Sequence, residues 1–228
     1  MKKIIAVTAV AVLLMSCGGV PEWSPAGDHI LTRWAAEVGP SNAHPEYPRP
    51  QMTRKDWKSL NGLWDYAITS SDAPKPSRRQ GGILVPGAWK EHVLLHFDAV
   101  DWKSEVWLNG KPLGVHTGGY TAFTYDITDY MVKGEQELVL KVLDGTDNGE
   151  QPRGKQVTSP GGIWYTPVTG IWQSVWLEPV SGSFIADYNC TPDIAAGTVT
   201  VCPEVSGEAD EVKVILREGG DGWNIEKD

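Results

Sequence analysis

The chain has 228 residues, a formal net charge of −9, 41% hydrophobic residues, and 11 Trp, 25 Gly and 16 Pro. This length holds one large β domain, or one domain and part of another, and an acidic balance without Lys/Arg clusters interleaved with aromatics excludes a nucleic-acid surface. Abundant Gly and Pro predict short strands joined by turns, not a helical bundle.

Residues 1–17 read as a secretory leader outside the fold. Lys2 and Lys3 form a basic start, residues 4–15 an apolar run too short to span a membrane, and Ser16-Cys17 a small-residue cleavage point. Leu14-Met15-Ser16-Cys17 is similar to a bacterial lipobox, except that Met15 stands where a smaller residue is usual. Lipidation is therefore expected at Cys17. The chain would be exported and lipid-anchored in the bacterial cell envelope, in the periplasm or at the outer membrane, and would meet the membrane through the anchor only. Cys190 and Cys202 are then the remaining thiols. An oxidising compartment permits them to pair, but two separate buried cysteines are the preferred reading.

Residues 18–56 form an irregular arm, because Pro21, Pro25, Pro40, Pro45, Pro48 and Pro50 forbid long regular elements; only 30–38 suits a short helix. Residues 60–68 read as the first strand, with Trp64, Tyr66 and Ile68 inward, and 70–80 as a polar loop. Strands follow at 83–85 and at 93–99, where Val93, Leu95 and Phe97 share a face. Residues 105–108 meet 113–116 across Asn109-Gly110, the strongest hairpin signal in the chain. Residues 123–127 and 138–143 are the next two strands.

Residues 161–179, GGIWYTPVTGIWQSVWLEP, set a glycine-punctuated aromatic loop ahead of one more strand. In that strand Ile171, Val175 and Leu177 lie on one face, Trp172, Ser174, Trp176 and Glu178 on the other, and Pro179 ends it. Trp164 and Tyr165 fall in the loop. Rings there either cover the end of a sandwich or meet a ligand with an apolar face, such as a sugar.

Several motifs occur in a telling order: Asn61-Gly62-Leu63-Trp64, Val106-Trp107-Leu108-Asn109-Gly110, Gly118-Gly119-Tyr120, Phe123-Thr124-Tyr125-Asp126-Ile127-Thr128, and the 161–178 stretch. Together they resemble the N-terminal sugar-binding domain of family-two glycoside hydrolases, the β-galactosidase, β-glucuronidase and β-mannosidase relatives. The resemblance implies an all-β fold: a jelly-roll-like antiparallel β-sandwich over 57–180, followed by the start of an immunoglobulin-like β-sandwich over 181–228. In the family a barrel with two catalytic glutamates comes third, and loops of the first domain approach its active-site mouth. Arg153, Trp164 and Tyr165 are on this ground the candidate substrate-binding residues. The chain departs from the family pattern twice. A strand of the type Trp-Tyr-x-Arg-x-Phe is absent near 86–87, and the second domain is too short to be whole.

No residue is assigned a catalytic role, since glycoside hydrolysis needs two carboxylates flanking the scissile bond and the family's pair lies in the barrel. Asp126, Asp129, Asp144, Asp147 and Glu178 suit turns and strand ends. Asp144, Thr146, Asn148 and Gly149 imitate the first half of a calcium loop, but Lys155 occupies the twelfth position, where a glutamate is needed. No metal site is expected there, and no cofactor motif occurs. The expected function is the sugar-binding portion of a secreted glycoside hydrolase that cleaves O-glycosyl bonds, inactive as this chain alone. Its partner would be a β-glycoside or polysaccharide. The alternative is a stand-alone, lipid-anchored carbohydrate-binding protein.

Overall fold

The computed structural model describes residues 3–9, 33–49, 52–62, 64–70, 74, 83–84, 91–217 and 224–227. The first strands are β1 (Lys3–Ala9), β2 (Lys58–Ser59), β3 (Trp64–Ser70), β4 (Ile83–Leu84), β5 (His92–Phe97) and β6 (Val100–Asp101). They are followed by β7 (Lys103–Leu108), β8 (Lys111–Thr117), β9 (Phe123–Asp126), β10 (Glu135–Gln136), β11 (Leu138–Leu143), β12 (Gly170–Ile171) and β13 (Val175–Val180). The last four are β14 (Phe184–Asp193), β15 (Thr198–Ser206), β16 (Val214–Arg217) and β17 (Asn224–Lys227). The fold is all-β and antiparallel, with a single 3-10 turn at Thr128–Tyr130 among the described residues.

The chain divides into two units, Met1–Trp89 with Val93–Pro179, and Lys90–His92 with Val180–Asp228. In the first, a five-stranded sheet of order β3-β1-β11-β7-β8 and a four-stranded sheet of order β2-β13-β5-β9 enclose the core. Val106, Leu108, Leu138, Leu140 and Val142 come from one sheet, and Val93, Leu95, Phe97, Val175 and Leu177 from the other. This is the two-layer arrangement that alternating strands predict. The β7–β8 hairpin turns at Asn109-Gly110, whose φ values of 53° and 78° are the left-handed pair a tight two-residue turn requires. Asn109 also bonds outward: its side chain donates to Tyr130 O (2.9 Å) and Gln136 Oε1 (2.8 Å) and accepts from Glu137 N (2.9 Å).

Several expectations differ from the structure. Residues 3–9, read as lying outside the fold, form the second strand of the five-stranded sheet. A run of Ile4, Ile5, Val7 and Thr8 has the β-branched composition of a strand as well as the apolarity of a leader. Ile68, expected inward with Trp64, is 59% exposed, because the core reaches Trp64 near one end of β3 and stops short of Ile68. The strand expected from 171 onward is broken into β12 and β13, and Pro179 lies within β13 instead of ending it. Pro179 falls near the end of the strand, beyond the Trp176 and Leu177 positions that pair with β2. The short helix expected at 30–38 is a run of turns over its described part, with Glu37 N donating to Trp34 O at 2.9 Å. Cys17, the junction at 86–87 and most of the 70–80 loop lie outside the described residues.

Trp176 and Glu178, on the face expected to be outer, are 1% and 0% exposed. Residues of the N-terminal arm cover them. Tyr47 Oη donates to Glu178 Oε1, Arg54 Nε donates to Oε2 at 3.1 Å, and Trp176 Nε1 donates to Oε1 at 2.8 Å. His96 stacks on Trp176 with ring centroids 4.7 Å apart, and its Nε2 lies 3.6 Å from Glu178 Oε2. Arg49 Nη2, which can only donate, sits 3.0 Å from His96 Nδ1, so the ring proton belongs on Nε2, facing Glu178. Burial alone would push the Glu178 carboxyl up. The nearby His96 ring, 3.6 Å away, and hydrogen bonds from Tyr47 and Trp176 outweigh it and hold the group well below the usual carboxylate range. Burial pushes His96 down, against the raising effect of Glu178.

The second unit holds the β14–β15 hairpin and the β16–β17 pair. Cys190 and Cys202 are free and both exposed, so they are separate, as preferred, but not buried. Cys202 pairs across the hairpin with Asn189, and Cys190 with Val201. Opposed residues share a face and successive ones alternate, so the two thiols point to opposite faces and cannot bond to each other.

A buried carboxylate held by this many donors fixes a pH dependence. Both Glu178 and His96 have folded-state values below their ordinary ones of 4.5 and 6.5, so the stability they contribute is complete above those values and is lost as pH falls through and below them. Thermal unfolding should show a Tm that declines from pH 7 to pH 4. The Glu178→Ala variant should be less stable by about 3 kcal/mol at pH 7, since its loss leaves the buried Trp176 indole N–H without its acceptor and removes the bonds from Tyr47 and Arg54. A variant as stable as the parent at pH 7 would contradict this account of the arm.

Candidate functional site

The 144–172 segment between β11 and β13 carries the three residues singled out in the sequence. Trp164 and Tyr165 are 42% and 62% exposed, and Ile163 between them and Gly162 is 66% exposed. Gly162 has φ +60°, a left-handed conformation that turns the chain just ahead of this trio. Trp164 N donates to Gly161 O at 3.1 Å, Tyr165 N to Lys155 O at 2.9 Å, and Val157 N to Tyr165 O at 3.2 Å. A short parallel bridge between Gln156 and Tyr165 thus folds the loop back on itself. The rings are held at the backbone while their faces stay open.

Arg153 joins them. Its guanidinium carbon lies 5.9 Å from the Trp164 ring centroid, and its Nη1 donates to Asp147 O at 3.3 Å. Asp147 Oδ2 accepts from Thr158 N and Oγ1, both at 3.2 Å, and lies 3.9 Å from Arg153. The bond from Thr158 N–H is the main reason the Asp147 carboxyl is held below its usual value. Lys155 Nζ stands 5.7 Å from the Tyr165 ring, so each exposed ring has a cation beside it. The structure therefore brings Arg153, Trp164 and Tyr165 together on one loop.

A second aromatic pair, missed in the sequence reading of the site, lies beside them. Tyr120 is 51% and Trp172 42% exposed, with ring centroids 5.7 Å apart at 70°. Trp172 Nε1 donates to Gly119 O at 2.7 Å, which turns this residue out of strand register. Gln156 connects the two pairs, donating from Nε2 to Tyr120 Oη at 3.4 Å and accepting from Val168 N. Tyr120 sat in a quoted motif, but nothing local in the sequence tells that its ring reaches a loop 36 residues away.

Beneath them is an acidic pair. Asp101 is 6% exposed, and its carboxyl is pushed up to about 6, first by burial and then by the neighbouring Asp144, against a lowering bond from Gln156. Asp144 accepts three hydrogen bonds: Oδ1 from Thr146 N (2.7 Å) and Gln151 Nε2 (3.2 Å), and Oδ2 from Thr169 Oγ1. Gly119 is packed against Asp101, where an added Cβ would fall 2.4 Å from Oδ1. Among the described residues, no three His, Cys, Asp or Glu side chains gather as a metal centre.

The site thus offers exposed rings, flanking cations and amide groups, and no open pair of carboxylates. Comparison with known proteins gives this geometry a context. Residues 80–178 match the model of the glycosyl hydrolases family 2 sugar-binding domain. A β-galactosidase of Bacteroides ovatus is 32% identical over 144 residues, which are 57% of this chain and 16% of that protein. A putative β-glucuronidase of Formosa agariphila is 27% identical over 179 residues, 72% of this chain and 16% of that one. The chain therefore spans about one sixth of the length of these relatives. A solved β-glycosidase from Bacteroides vulgatus aligns over 57% of this chain and 16% of its own, with 26% identity and a TM-score of 0.42.

Asp101 titrates where it touches the Gly119 turn that anchors Trp172, so its proton should be visible from that indole. Tryptophan fluorescence followed from pH 8 to pH 4.5 is expected to show a transition with a midpoint of about 6 that the Asp101→Asn variant lacks. An unchanged transition in the variant would assign it to another group.

Proposed function

Residues 80–178 belong to the sugar-binding domain of the family-two glycosyl hydrolases, and from that premise we propose that this chain is the saccharide-contacting portion of an exported glycosidase. The observation that carries the reading is the pair of open rings at Trp164 and Tyr165, 42% and 62% exposed, with Arg153 and Lys155 beside them. A pyranose presents an apolar C–H face to an aromatic ring and hydroxyls at its rim, so a ring for stacking and flanking donors for hydroxyls are complementary to it. Arg153 acts through its guanidinium N–H groups, Trp164 and Tyr165 through their faces. The relatives whose names describe galactosidase and glucuronidase activity support an O-glycosidic substrate class.

Chemistry on the glycosidic bond is a different matter. Hydrolysis needs two carboxylates about 5 Å apart on an open cleft, or somewhat farther for inversion. Here Asp101 is buried and Asp144 is tied up by three hydrogen bonds, so neither carboxylate faces an open cleft. The chain by itself binds and does not cleave. Export and anchoring complete the proposal, with Cys17 as the lipidated residue, supported by the Lys2-Lys3 start, the apolar run and Leu14-Met15-Ser16-Cys17.

Stacking on one or two rings, without convergent polar groups, should give a Kd of about 1 mM. Titration of galactosides and glucuronides, read by tryptophan fluorescence, should yield such a value for the parent and no saturation for Trp164→Ala; equal binding by the variant would reduce Trp164 to packing. The same preparation should release no aryl alcohol from aryl β-glycosides. Fatty-acid labelling in a bacterial host should mark the parent and not Cys17→Ala, and equal labelling would refute the anchor.

A further inference from the structure

β1 occupies an unusual place. It lies inside the five-stranded sheet and runs antiparallel to both neighbours, to β3 from Lys3↔Ser70 to Ala9↔Trp64 and to β11 from Ile4↔Leu143 to Ala9↔Leu138. β3 and β11 therefore run parallel to each other. With neighbouring strands about 4.8 Å apart, these walls stand roughly 9.6 Å apart, too far to bond directly and the width of one strand. Without β1, both walls would present rows of unpaired N–H and C=O groups, the template that captures an extended segment.

The segment that fills the gap is also the one with a leader's composition, a lysine followed by an apolar run. Residues 10–57 separate it from β2, so nothing in the pairing of β2, β3 or β11 depends on its covalent attachment. Ile4, Ile5, Val7 and Thr8 are β-branched and favour the extended backbone the gap demands, and Ala6 and Ala9 are small. We propose that the space between β3 and β11 is a strand-binding slot, and that its ligand is the extended Lys3–Ala9 segment, held as an insert that a free peptide of the same sequence can replace. Recognition is by main-chain bonds to both walls, the mode of β-strand addition doubled. This inference concerns the chain before the export step proposed above removes the residues ahead of Cys17; it does not rest on the carbohydrate reading, and no saccharide enters its test.

Two measurements on the full chain, produced by translation without membranes so that the N-terminal segment is retained, decide it. In the first, Ala6→Cys is combined with Ala67→Cys, its cross-strand partner, or with Ser70→Cys, three positions out of register. Mild oxidation and peptide mapping should find the 6–67 linkage at least tenfold above the 6–70 linkage; equal yields, or no 6–67 linkage, overturn the proposal. In the second, Val7→Pro removes a ladder donor from β1 in the full chain. A fluorescent peptide with the sequence of residues 3–9 should then bind this variant at least tenfold more tightly than the parent, whose slot is filled. A peptide with proline in place of Val7 should not bind. Equal binding to parent and variant, or equal binding of the two peptides, refutes the slot.

Discussion

A single buried carboxylate organises the wall of the sandwich that faces the N-terminal arm. Glu178 lies on β13 with 0% exposure, a position that would cost several kcal/mol for an unpaired charge. Tyr47 and Arg54 meet that cost from the arm, Trp176 from the same strand and His96 from β5. The consequence is mutual. Among its described residues the arm has no regular secondary structure to hold it, yet it is pinned at two positions seven residues apart, and the Trp176 ring beneath meets both the His96 ring and the Arg49 guanidinium. An arm rich in proline loses little backbone freedom when it is fixed, so a few charge-assisted bonds suffice.

The aromatic loop depends on a different device. Its rings are open because its backbone is closed: Gln156 pairs with Tyr165, reaches Tyr120 and receives Val168 N–H. Under it, Asp144 gathers Thr146, Gln151 and Thr169 into one cluster. A loop with so many polar ties can keep large flat side chains at the surface without collapsing onto them, which is the condition for stacking on a ligand. The rigidity comes from short-range polar bonds, and the recognition surface from rings that those bonds leave alone.

Much of this was legible in the residues themselves. The 138–143 strand is where alternation and β-branching place it, and Asn109-Gly110 makes the turn its dihedral preference demands. The family resemblance was legible from motifs in order. What local pattern could not convey is burial imposed from a distance. Alternation put Trp176 and Glu178 on a solvent face, and that inference is sound for a half-covered sheet; the covering residues lie more than 120 positions earlier in the chain. Asp101, Tyr120 and Trp172 escaped notice for the same reason, each coming from a different segment. For residues 3–9 the composition fits both a leader and a strand, and the pairing with β3 and β11 is what composition alone could not convey.

The β14–β15 hairpin has a consequence for how copies of this chain would couple under oxidation. Its two thiols are exposed and point away from each other, one from each face. A molecule with two reactive ends aimed in opposite directions is a bifunctional monomer. Oxidants that join such ends link one copy to the next, because the two thiols of one copy cannot reach each other, and the products lengthen with concentration. With Cys17 lipidated, blocking either hairpin cysteine turns the connector into a terminator and limits the product to pairs.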